Sequence, residues 1–371
     1  MKENINLLYM KYSLSIVRWI VGVLFIISGL VKLNDPIGLS YKMQEFFEVW
    51  NFHFLNDYAL LFSVVLNVFE VFAGAAILIG WRTKNVSWLL LLLIVFFTIL
   101  TGYAYLSGKI KSCGCFGDCL PITAQQSFYK DLFLLMLIVY LVIYPYQLKE
   151  TIYPLMSKLV LTAIVLAGFF IQWHVLNHLP LVDCLPFKKG KHILQQMKTP
   201  AGAIEDSFAI EFIYIKNGQQ IHFNQDQFPA DFDSTYEYVG RNDVLIKKGN
   251  GLKAAITDFS LFTHNRVDTT LAILQSTHKI VLLLVQDAND INLWESSFES
   301  VQKYAAKLGV PLFIVSAEAD KLQPHFVNTP ILSCDATVLK TAARVKPTYF
   351  LLQGDLILDK KSYLDVDQLF Q

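Results

Sequence analysis

The chain has 371 residues, 54% of them hydrophobic and 14% aromatic, and its 31 basic side chains balance 31 acidic ones. With no excess of Lys and Arg to set against phosphate, nothing argues for a nucleic-acid-binding surface. Five cysteines are too few for a disulfide-built scaffold, and the odd count leaves at least one thiol unpaired.

In chain order, the first half carries five apolar runs near the roughly 20 residues that cross a bilayer core: about 14–33, 57–80, 86–106, 127–147 and 157–177. The first run lacks a small-residue cleavage site and continues into "KLNDP", so it reads as a retained span and not as a signal peptide. Residues 1–180 are thus expected to form an α-helical transmembrane bundle. Five spans put the two chain ends on opposite faces. By the same parity, the loop after span three and the segment after span five share a face.

Ionisable groups inside spans are expensive and point to function. Glu70 sits near the middle of span two, and Arg18 in span one is its expected partner in an intramembrane polar site. Lys32 reads as an interfacial anchor, and Lys130 with Asp131 as an interfacial ion pair. His174 and His178, four apart at the exit of span five, share a helical face and read as interfacial aromatics before metal ligands. For orientation, Lys2, Lys11, Arg82, Lys84, Lys149 and Lys158 lie on one face, against Lys42, Lys109 and Lys111 in the short loops of the other. The bias predicts an inside N-terminus and outside cysteines, in a compartment where disulfides persist.

The loop "SCGCFGDC", residues 112–119, holds three of the five cysteines, and parity adds Cys184 to the same face. Four readings remain open for it: a reactive dithiol, bracing disulfides, a zinc site built from Cys113, Cys115, Cys119 and Cys184, or incidental thiols. A Cys-x-Cys ring is small and strained, which suits exchange. Gly114 supplies its backbone freedom, and Lys109 and Lys111 favour thiolate. On the first reading Cys113 and Cys115 react, Cys119 resolves and Cys184 is a further disulfide partner. Electrons would pass to a thiol protein or to a membrane quinone.

Residues 181–255 read as a β-rich connecting segment, with Asn217-Gly218 as the turn of a hairpin. From 256 to 371, strand–helix–strand followed by a hairpin and a closing helix predicts an α/β domain with a mixed sheet. "ARVKPTYFLLQGDLIL" resembles the thioredoxin-like fold, with Lys346-Pro347 at the place of that family's cis-proline loop and a candidate partner-binding loop. Where that family has Cys-x-x-Cys, around residues 287–294, this chain reads "DANDINLW". The resemblance therefore implies the fold without its chemistry. Cys334 reads as a small buried hydrophobe.

The membrane half resembles the DoxX family and its MauE relatives. The likeness is carried by "RWIVGVLFIISGLVKLNDPIG", "EVFAGAAILIGWRTK", and "CGCFGD" followed by "SFYKDLFLL". It implies a four-helix DoxX-like core plus a fifth span in a bacterial inner membrane, lipid-bound. The N-terminus would be cytoplasmic and the C-terminal domain periplasmic. The function implied is periplasmic thiol–disulfide exchange or redox maturation with a periplasmic thiol protein as partner. The alternative is a non-enzymatic scaffold with structural disulfides, whose C-terminal domain binds an envelope protein.

Overall fold

The structure is a computed structural model. It describes residues 2–110, 114, 117–144, 153–204, 207–224, 227–247, 249 and 251–370. Among these, five helices are long and apolar enough to cross a membrane, and they form the bundle. They are α1 (Lys2–Asn34), α3 (Ala59–Ile79), α4 (Thr83–Ser107), α5 (Ala124–Ile143) and α6 (Pro154–Asn177). The shorter α2 (Pro36–Val49) follows α1. Its start is written locally: Asp35 caps it by accepting from the Gly38 amide, and Pro36 stands in its first turn, where a missing N–H costs nothing.

Small residues set the helix spacing, since lipid tails supply no hydrophobic drive between spans. A Cβ on Gly74 of α3 would stand 2.8 Å from the Gly22 carbonyl oxygen of α1, and one on Gly22 would fall 2.4 Å from Leu78 Cγ. The inward core includes Leu14, Val21, Ala73, Ile77, Leu90, Ile94 and Ile138. Trp19, Ile27, Leu92, Ile99, Met136 and Phe170 stay exposed on the outside of the bundle.

After the short α7 (Ile193–Gln196), β1 (Ser207–Lys216), β2 (Gln219–Asn224) and β3 (Glu237–Lys247) form a three-stranded antiparallel sheet in the order β2-β1-β3. The expected hairpin turn is present, with Asn217 at φ 53° and Gly218 at φ 76°; two consecutive positive φ values are what a tight primed turn requires. This sheet is an excursion from the C-terminal layer, because the Ile256 amide donates to the Gln196 carbonyl at 3.0 Å. Residues before it already belong to that layer: Phe187 and Ile193 lie in its core, and the amides of Gly190 and Ile193 donate to the carbonyls of Ile357 and Asp355.

The C-terminal layer holds α8 (Thr270–Leu274), β4 (Lys279–Val285), α9 (Ile291–Leu308), β5 (Leu312–Ser316), α10 (Ala319–Leu322), β6 (Ile331–Ser333), α11 (Ala336–Ala342), β7 (Thr348–Gln353) and β8 (Leu356–Ser362). The sheet order is β6-β5-β4-β7-β8; β4, β5 and β6 run parallel, and β7 and β8 run antiparallel to their neighbours. This is the expected mixed sheet. Strand β4 is an unbroken apolar run because both its faces are covered. Ile280, Leu282 and Leu284 pack with Phe187, Phe259 and Leu339, while Val281, Leu283 and Val285 pack with Trp294, Phe298 and Val301.

Candidate functional site

The face of the bundle that carries the cysteine loop meets the C-terminal layer there. Cys119 and Cys184 form a disulfide with Cα atoms 4.8 Å apart, joining the loop to the segment after α6. The shared face expected from parity is thereby present. Cys113, Cys115 and Lys111 lie outside the described residues. The pairing uses up two of the four thiolates that a zinc site would need, and among the described residues no cluster of His, Cys, Asp and Glu is arranged for a metal. Gly114, between the two remaining loop cysteines, lies beside α2: a Cβ there would stand 3.1 Å from Lys42 Cγ.

Arg344 fastens this corner. Its Nε donates to Asp35 Oδ2 at 2.8 Å, and its Nη2 donates to Asp118 of the cysteine loop. Burial works against the charge, but Asp35 and Asp118 more than offset it and hold the guanidinium above its ordinary value. Tyr41 of α2 donates to Gln286 Oε1 at 2.7 Å, and burial pushes its phenol up to about 12. Gln286 in turn donates to the carbonyls of Leu339 and Ala343. Farther along, Lys360 pairs with Asp183 at 3.0 Å, Ser362 donates to the Asn177 carbonyl at 2.6 Å, and His178 meets Asp365 at 2.9 Å. His178 thus serves as an interdomain contact, with His174 stacked on it.

Inside the bundle, Glu70 is buried, but its partner is not Arg18. Lys32 Nζ lies 2.6 Å from Glu70 Oε1, with both side chains at most 3% exposed, and Ser28 donates to Oε2 at 3.2 Å. Glu70 packs beside Gly29; Arg18, eleven residues earlier on α1, is about 16 Å away along the axis. Lys32 succeeds because a helical Cβ points back toward the N-terminus, so a long side chain at the end of α1 reaches inward. Its ammonium also stands 4.6 Å from the Phe97 ring centre. Asn67 holds the Lys32 carbonyl at 3.1 Å. Asp131, also buried, pairs with Lys130 at 2.8 Å and accepts from Thr101 at 3.0 Å.

Two cavities of about 20 Å³ meet at Lys32. One is lined by Glu70, Lys130 and Asp131, the other by Thr101 and Gly114. Each has room for a single water.

Of the other expected residues, Lys346 is exposed and Pro347 buried, and the peptide bond between them is cis. Cys334 is buried, and burial raises its thiol to about 12, which makes it inert. The sequence reading missed Lys32 as an ion-pair partner, and missed Asp35, Asp118 and Arg344 entirely. The Asp35-Pro36 step with Gly38 behind it was the available signal for a capped helix at that corner.

Residues 10–144 match the family described as Methylamine utilisation protein MauE, and residues 208–248 match a domain of unknown function, DUF8463. The chain is 30% identical over 142 residues to Protein TlpB of Flavobacterium psychrophilum, a stretch that makes up 38% of each chain. It therefore spans well under half of that curated relative. No solved structure matches. Five apolar helices and the match over residues 10–144 together make this a MauE-like, multi-pass membrane protein.

Proposed function

We propose that the chain exchanges thiols and disulfides at the outer edge of a bacterial inner membrane, with Cys113 and Cys115 as the reactive pair. The observation that carries this reading is the Cys119–Cys184 disulfide. It is half-buried and four residues beyond Cys115 in the same loop. A thiolate formed at Cys115 or Cys113 would have a disulfide within the same loop to attack. Cys119 then acts as the resolving sulfur and Cys184 as its partner. The N-terminus is cytoplasmic and the C-terminal layer periplasmic, on the lysine and arginine bias of the loops. The exposed apolar side chains around the bundle face lipid.

The C-terminal layer is read as thioredoxin-like without its redox pair. Its sheet order, the cis bond before β7 and the absence of cysteine from residues 287–294 support this. The DoxX likeness rests on the motifs of spans one and two together with "CGCFGD" and "SFYKDLFLL". A membrane quinone is the alternative electron acceptor to a thiol protein.

The scaffold reading keeps two observations in its favour: the same disulfide ties segments 65 residues apart, and Arg344 clamps the same corner. Trapping with a charged, membrane-impermeant alkylator in living cells separates the two readings. Exchange predicts a mixed redox state that shifts in Cys113→Ser. Complete oxidation that resists mild reductant in both proteins would sink exchange and leave bracing.

A further inference from the structure

A cleft of about 760 Å³ lies between α2 and the C-terminal layer, within the size range of small-molecule sites. Cys184 lines it, and Cys119 does not. The disulfide thus borders this cleft on its Cys184 side. The charges around it are uneven. Lys42 is engaged by Glu45 at 2.8 Å, and Arg344 by Asp35 and Asp118. Lys188, Lys191 and Lys340 also line the cleft and make no ion pair among the described residues; Glu48 is the acid left to face them. Lys188 and Lys191 follow Cys184 by four and seven residues.

We infer that this cleft admits anionic thiols to Cys184. The inference rests on the exchange reading and names its substrate class. The thiolate of an anionic thiol attacks Cys184 Sγ, and a sulfur–sulfur bond forms there as the Cys119–Cys184 bond breaks. The electron pair leaves on Cys119 Sγ, which takes a proton from water. A second thiolate attacks the outer sulfur of the mixed disulfide, releasing the small-molecule disulfide and the Cys184 thiolate. Two thiols are oxidised and one protein disulfide is reduced. The lysines concentrate the anion and stabilise charge at the attacked sulfur. The electrons arrive on Cys119, in the loop that holds Cys113 and Cys115.

The test uses the full chain in nanodiscs of neutral phosphatidylcholine. The opening rate of Cys119–Cys184 is measured by alkylation and mass spectrometry with 3-mercaptopropionate, 2-mercaptoethanol and cysteamine. Rates are normalised to thiolate concentration and to each thiol's reaction with hydroxyethyl disulfide. At low salt the anionic thiol should outpace the cationic one by about tenfold, and the advantage should collapse at about 1 M salt, where screening acts within about 3 Å. The first adduct should sit on Cys184. Lys188→Glu with Lys191→Glu should reverse the order; the salt series on the unaltered chain asks the same question without a variant. Opening by all three thiols at equal rates, a cationic preference, or a first adduct on Cys119 would overturn the inference while leaving exchange intact. A disulfide that no thiol opens would overturn both.

Discussion

The Lys32–Glu70 pair makes a quantitative prediction through Lys32→Met, Glu70→Leu and the two together. At an effective dielectric of about 20, unit charges at the observed 2.6 Å attract by about 6 kcal/mol. Desolvating two ions costs several kcal/mol each, so the intact pair adds little net stability. A single change is different, because it leaves a charge buried without compensation, at a cost of about 3–5 kcal/mol. The double change removes both charges and should return to within about 1 kcal/mol of the unaltered protein. Reversible unfolding in detergent micelles, followed by far-UV circular dichroism, reads all three. Ordinary side-chain hydrogen bonds between spans average about 0.6 kcal/mol, so the sizes separate an ionised pair from a neutral one. Single changes near that lower value, or a double change equal to the sum of the singles, would refute the ion pair.

Arg344→Ala should cost about 3 kcal/mol, since it strands Asp35, which is only 12% exposed. Hydrogen exchange at residues 35–41 and 117–121 should quicken, and unchanged protection there would rule out a clamp. Gly74→Val should separate α1 from α3, because its branch would collide with the Gly22 carbonyl; a thermal midpoint equal to the parent's would contradict that packing. Cys334, its thiol raised from 9.0 to about 12 by burial, should resist iodoacetamide at pH 8 until the protein unfolds. The sign follows from a raised folded value. The stabilisation is full below pH 9 and fades toward pH 12, and a native thiol that labels at once would contradict the burial.

The sequence made legible whatever is written locally or by period. Five apolar runs, the Asn217-Gly218 turn and the strands from Lys279 to Ser362 all came from patterns within about 25 neighbouring residues. The sharing of a face by Cys119 and Cys184 came from counting spans. What stayed hidden depends on reach and on distance along the chain. Lys32 looked like an anchor because its Cα ends a span, while its ammonium acts a turn deeper. Arg344 meets Asp35 across 309 residues and Asp118 across 226, and no local pattern records such a meeting. Helix α2 is not legible as a span because "PIGLSYKMQEFFEV" is too polar, and Pro36 at its start also reads as the stop of α1.

The sheet formed by β1, β2 and β3 leaves the C-terminal layer after Gln196 and returns at Ile256, where the hydrogen bond from the Ile256 amide to the Gln196 carbonyl closes the gap. A unit attached at so narrow a neck behaves like a cassette. It can be lengthened, exchanged or lost in one genetic event, and the strands on either side of the neck keep their register. Selection can therefore reshape this part of the surface at a different pace from the disulfide corner, where any change must satisfy the bundle, the loop and the layer at once.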